Sequence, residues 1–183
     1  MERHTPPGWT YNPSSWSERA PLLAVALVGF GIAAYLALYQ LDVFPAVWEP
    51  LFGNGSRVIL HSSVSRLLPI PDAALGAAGY LLDAVSGIVG GRERWRTMPW
   101  IVLLFGVAVG PLGLTSLLLV ISQPVLFHAW CTLCLTSALI SVCMIGPAMD
   151  EILATLQHLK REHARGYSLW NAFWGRGYVG ADY

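Results

Sequence analysis

Two cysteines three residues apart, Cys131 and Cys134, carry the clearest chemical potential in this chain, within Phe127-His128-Ala129-Trp130-Cys131-Thr132-Leu133-Cys134. On a helix, positions i and i+3 share a face, so both sulfurs project to the same side. A helix beginning near Ala129 puts Cys131 in its first turn, where the positive end of the helix dipole favours a thiolate, and a protonated His128 adds to that effect. A thiolate beside a second thiol is what disulfide exchange requires. Three readings stay open on spacing alone: a redox pair, half of a metal site, or two small apolar fillers. A zinc site wants two further ligands, and no second Cys-x-x-Cys or His pair lies on the same side. A covalent haem wants His directly after the second cysteine, where Leu135 stands. No metal is expected. Cys143 reads as a packing residue and His61 as an ordinary loop residue.

The elements that hold this pair are apolar. The chain has 183 residues, 55% hydrophobic and 12% charged, where a soluble domain carries about 25% charged residues. That balance points to a bilayer. Net charge is zero and the cations are dispersed, which argues against nucleic acid as a partner. Three cysteines are too few for a disulfide scaffold. The opening residues are polar and lack a small-residue cleavage site, so the first apolar run is expected to stay as an anchor.

That run, 20–41, is close to the ~20 residues a spanning helix needs. The segment 42–71 is broken by Pro45, Pro50, Gly53 and Pro69, with a short interfacial helix expected over 57–68. Residues 73–91 form a second run interrupted by Asp83, with Gly76 and Gly79 allowing close helix approach. An intramembrane carboxylate is a functional candidate by default; a hydrogen bond to a neighbouring helix is the plainer account of Asp83. Asp72 suits the N-terminus of this helix. After the charged turn 92–96, no charge occurs over 97–127, giving a third span kinked at Pro111 and ended by Gln123-Pro124. The fourth span, 129–149, is closed by Pro147 and Asp150, and 151–165 reads as an amphipathic helix with Leu153, Leu156 and Leu159 on its apolar face. Trp170, Phe173 and Trp174 in the tail suit the headgroup region.

The expected fold is therefore an all-α membrane protein: a four-transmembrane-helix bundle with a short interfacial helix in the outer loop and a C-terminal amphipathic helix. Its parts are an N-terminal segment (1–19), the membrane domain (20–150) and a C-terminal segment (151–183). Four spans put both termini on one side, with Arg3, Arg19, Arg92, Arg94, Arg96, Lys160, Arg161, Arg165 and Arg176. Arg57 and Arg66 fall on the other. The positive-inside rule then makes both termini cytoplasmic in an inner membrane. The cysteine pair and the loop 42–71 share the outer side, where thiols can be oxidised.

Three stretches resemble the vitamin K epoxide reductase family of membrane thiol–quinone oxidoreductases. They are Ser56-Arg57-Val58-Ile59-Leu60-His61-Ser62, Ile70-Pro71-Asp72-Ala73-Ala74-Leu75-Gly76-Ala77-Ala78-Gly79-Tyr80, and Trp130-Cys131-Thr132-Leu133-Cys134. Their order and spacing are similar to a four-helix domain over about residues 20–150. The resemblance implies a quinone, ubiquinone or menaquinone, held among four helices near the outer face. It implies that Cys134 faces the quinone and that Cys131 exchanges disulfides. Asp72 would offer a hydrogen bond to a quinone carbonyl, and Ser62 matches a family loop serine. His128 and Trp130, just before the pair, complete the candidate cofactor-binding set.

The chain also departs from that pattern. Ser56 stands where the family has a shuttle cysteine, and 42–55 contains none, so no relay runs from loop to Cys131 within the chain. Ala138 stands where some members use a tyrosine, and no thioredoxin-like domain follows the fourth span. Two functions follow as expectations. In the first, Cys131–Cys134 passes electrons from an external thioredoxin-like dithiol protein to a quinone. In the second, the bundle is a non-catalytic accessory subunit of a larger membrane complex.

Overall fold

The computed structural model describes residues 5–62, 65 and 69–176, and those residues form helices and turns with no strand among them. Of the stretches used above, Arg3, Arg66, and the tail from residue 177 onward lie outside the described residues. In order, the helices are α1 (Trp16–Gln40), α2 (Gly55–Leu60), α3 (Asp72–Ile88), α4 (Arg94–Thr97), α5 (Pro99–Ser122), α6 (Thr132–Ala164) and α7 (Leu169–Phe173). A π-helical turn, Gln123–Phe127, continues α5. Helix α1, helix α5 with its π turn, and helix α6 are each long and apolar enough to cross a membrane.

Helix α3 has 17 residues, about 25 Å of helix, and lies against α1, α5 and α6. Small residues let it in. Ala26 and Ala33 of α1, Ala77 and Ala84 of α3, and Met144 of α6 form one buried seam around Tyr80. The Tyr80 ring covers Gly29 so closely that a Cβ there would lie 2.5 Å from a ring carbon. At Gly79 a Cβ would lie 2.3 Å from Leu112 of α5. With no hydrophobic drive between helices in lipid, such close backbone approach is what holds a bundle together.

The end of the bundle remote from the cysteines is stapled by buried charge. Arg94 is 2% exposed and pairs with Glu151 of α6, its Nε 2.5 Å from one carboxylate oxygen. The Ser14 hydroxyl also donates to Glu151. Arg19, buried in α1, donates to the carbonyls of Gly87 in the last turn of α3 and of Val89 and Gly90 just past it, so it satisfies free acceptors at that helix end.

Several boundaries differ from the sequence expectation. Helix α6 does not stop at Pro147; it runs through to Ala164, so the expected separate C-terminal amphipathic helix is the second half of one long rod. A proline removes one N–H, and packing on both sides of it (Met144 buried before it, Ala148 buried and Glu151 paired after it) holds the helix across that gap. The buried stripe of that half is Glu151, Ala154, Thr155, His158, Leu159 and Glu162, while Leu153 and Leu156 are exposed. The helix also starts at Thr132, not at Ala129, which makes Cys131 the residue before the first turn. Helix α2 occupies the start of the expected 57–68 segment; residues 63–64 and 66–68 of it lie outside the described residues.

Candidate functional site

The site is built where α5 hands over to α6. Pro124 cannot supply an N–H to continue the α pattern, and the chain widens into the π turn, with Gln123 turned inward at 2% exposure. The Gln123 carbonyl accepts from the His128 N–H, and His128 then reverses the chain in a left-handed conformation, φ 49°. Gln123 Oε1 accepts from the Cys131 N–H at 3.0 Å. Cys131 is thereby held extended as the N-cap of α6, where its Sγ accepts from the Cys134 N–H at 3.1 Å. Cys131 and Cys134 are joined in a disulfide, with Cα atoms 5.2 Å apart. Cys131 is fully buried; Cys134 is half-buried.

Loop residues seal the other side of Cys131. The Glu49 carboxylate accepts from the Ser56 and Thr132 hydroxyls, from the Thr132 N–H at 3.0 Å and from the Phe52 N–H at 3.3 Å. It thus satisfies an orphan N–H at the positive end of α6. Gly55 packs on the Trp130 carbonyl, where a Cβ would come within 1.9 Å of the oxygen. Ser56 is fully buried under this clamp. Burial works to raise the Glu49 carboxyl, but hydrogen bonds from Ser56, Thr132 and Leu51 outweigh it and hold Glu49 below its ordinary value.

The clamp therefore predicts a pH dependence. Its hydrogen bonds favour the ionised form, so the attachment is complete above the free carboxyl value of about 4.3. It is lost as pH falls through the lower value of Glu49 itself. Hydrogen exchange over 49–62 is expected to accelerate on acidification across that window. Glu49→Gln is expected to show the faster exchange already at neutral pH, by about 1 kcal/mol of lost protection for a partly exposed group.

Cys134 opens into a cleft of about 550 Å³ between α1, α3, α5 and α6, walled by Leu36, Leu60, Leu119 and Val120, with Asp72, Ser116 and Ser137 as polar points. Ala138 lines it too. A smaller adjoining cleft adds Ser62 and Phe127 beside Asp72 and Cys134. The structure thus brings Cys134, Asp72 and Ser62 together. His128 and Trp130 line neither cleft: His128 shapes the chain reversal, and Trp130, 39% exposed, packs on Phe52 with ring centroids 6.2 Å apart.

Asp72 does not stand free. Its Oδ1 accepts from Gln40 Nε2 at 2.6 Å and from the Ser65 hydroxyl at 2.6 Å, while Gln40 Oε1 accepts from the Ala73 N–H. Gln40, Gln123 and Glu49 were not singled out from sequence. Two of them carried a readable signal, since Gln40 and Gln123 are amides at the ends of otherwise apolar runs. Glu49 reaches Thr132 across 83 residues of sequence, and nothing local marks it.

Comparison with curated proteins and with solved structures returns no match. The family model described as "Vitamin K epoxide reductase family" matches residues 20–148. That span takes in helices α1 to α5, the cysteine pair and the first half of α6. With three helices able to cross a bilayer, the chain is a multi-pass membrane protein, and it belongs to the vitamin K epoxide reductase family.

Proposed function

We propose that this protein is a membrane thiol–quinone oxidoreductase, in which Cys131–Cys134 takes electrons from an external thioredoxin-like dithiol protein and delivers them to ubiquinone or menaquinone. The observation that supports it is a closed disulfide whose second cysteine lines an interhelical cleft beside a carboxyl group. The cleft suits such a ring. Its walls are aliphatic with a few polar points, the kind of lining that small-molecule sites share. Helix α3 serves as the fourth span in this reading, both termini are cytoplasmic, and the loop 42–71 with the cysteines faces the outer side.

A bound quinone supplies an acceptor for two electrons and two protons. The residues of the chain do the rest. A thiolate of the partner attacks Cys131 Sγ, the Cys131–Cys134 bond breaks, and Cys134 leaves as a thiolate. The partner's second thiol displaces Cys131, so the partner leaves oxidised and the pair is reduced. Cys134 then stands in the cleft as the electron donor, and re-forming its bond to Cys131 releases the two electrons. Because Cys131 is buried under the Glu49 clamp, the partner reaches it when the loop lifts. Asp72 and Ser62 border the ring site; as a carboxylate Asp72 only accepts hydrogen bonds, and it donates to a carbonyl only when protonated. His128 and Trp130 act on the approach to Cys131.

Protein in lipid nanodiscs, given a quinone and a reduced thioredoxin-like dithiol protein, is expected to oxidise the dithiol and form quinol in equal amounts. No quinol with either quinone, together with other polypeptides co-purifying stoichiometrically in mild detergent, would replace this reading by that of an accessory subunit.

A further inference from the structure

A second cleft continues from the cysteine cleft into the bundle and shares Gly76, Ser116 and Ser137 with it. Two helix faces line it. On α3, Asp72, Gly76, Tyr80 and Asp83 follow one another at steps of four, four and three, and on α6 Cys134, Ser137 and Ser141 at steps of three and four, so each set forms one stripe. Hydroxyl groups join the stripes: Tyr80 Oη donates to the Ser137 carbonyl at 2.6 Å and lies 2.7 Å from Ser141 Oγ, which Ser116 Oγ approaches at 3.4 Å. Asp83 lies about 16 Å along α3 from Asp72. It lines this inner cleft at 6% exposure, and its Oδ1 has no hydrogen-bond partner. Neither α5 nor α6 adds a charged residue to the lining, and Tyr80 is the other titratable group there.

A carboxyl group without a cation is costly inside a membrane, and an apolar side chain would fill the same space. The carboxyl of the cysteine cleft has one oxygen already engaged, accepting from Gln40, Ser65 and the Ala73 N–H. Quinone reduction, however, needs a proton at an oxygen while negative charge develops there, and a carboxyl that shares a cleft with a row of hydroxyls can supply one.

We propose that Asp83 is the internal proton carrier of this protein, facing the ring site at Cys134 along the cleft that Tyr80, Ser141 and Ser137 line with it. The inference rests on the thiol–quinone reading above. The balance closes within the protein: two S–H bonds at Cys131 and Cys134 break, one S–S bond forms, and two electrons and two protons pass to the quinone, giving two O–H bonds. Asp83 lends one proton along that cleft and recovers one released as the disulfide closes, so it ends each turnover unchanged.

The test separates two half-reactions in nanodiscs. In Asp83→Asn, reduction of the Cys131–Cys134 disulfide by a dithiol without quinone is expected to keep its rate within about twofold. Oxidation of the pre-reduced pair by menaquinone is expected to slow on the order of 10²-fold, with a larger solvent isotope effect. Infrared difference spectra between disulfide and dithiol forms are expected to show a carboxyl band that shifts in wild type and is missing in Asp83→Asn. Equal quinone rates, or both half-reactions falling together, would overturn the proposal. Ser141→Ala, which removes one hydroxyl and leaves the carboxyl, is expected to slow the quinone step alone. Should the wild type reduce no quinone, the functional reading falls; a carboxyl band that still shifts with the state of the cysteines keeps Asp83 coupled to them, and a fixed band overturns that coupling.

Discussion

Cys134→Ala is expected to abolish quinol formation, a loss on the order of 10³-fold or more. Without its second sulfur the pair cannot close, so a mixed disulfide formed at Cys131 has no internal thiol to resolve it. The cost in stability is small by comparison. The ring closed by this disulfide spans three residue steps, for which chain entropy gives about 2 kcal/mol. Cys143→Ser is the matched control, because Cys143 is free, exposed and nine residues further along α6. Quinol absorbance together with trapping of the partner on Cys131 reads both effects. Wild-type turnover in Cys134→Ala would remove the pair from the chemistry.

The largest loss of stability is expected at the opposite end. Glu151→Ala leaves the Arg94 guanidinium at 2% exposure without its carboxylate and strands the Ser14 hydroxyl as well. Breaking a buried ion pair by removing one partner costs about 3–5 kcal/mol, whereas replacing both partners by apolar residues of similar volume costs much less. The double variant Arg94→Met with Glu151→Leu is accordingly expected to unfold later than Glu151→Ala. Thermal unfolding in detergent gives the order. A single variant as stable as the double would show that the Ser86 and Val89 carbonyls, to which Arg94 already donates, hold the guanidinium without the carboxylate.

The long helices were legible because hydrophobic runs need no tertiary context: 20–41 gave α1 to within a few residues, and 73–91 gave α3. The proline rule failed at Pro147 because it is local, whereas the hold on α6 there comes from residues on other elements. The cation count placed Arg19 and Arg94 on one side and said nothing of their surroundings; the structure buries both against carbonyls and Glu151. At the site, the cysteine spacing announced the pair. What surrounds the pair depends on contacts between distant segments: Gln40 with Asp72, Gln123 with Cys131, Glu49 with Thr132. His128 and Trp130 entered the candidate set by their place beside the pair; the left-handed backbone at His128, which reverses the chain there, has no local mark in the sequence.

Helix α6 has 33 residues, about 50 Å of rod, while the hydrocarbon layer is about 30 Å thick. Standing upright, a rod of that length outruns the layer by roughly 20 Å, and its second half forms a post beside the N-terminal segment. The N-terminal segment is lashed to it: Trp9 donates to Gln157, Tyr11 to Asp150, and Arg161 to the Pro7 carbonyl. Between that lashing and the cysteine end stands Pro147, where the rod lacks one hydrogen bond, so a change of lean at one end reaches the other through that point.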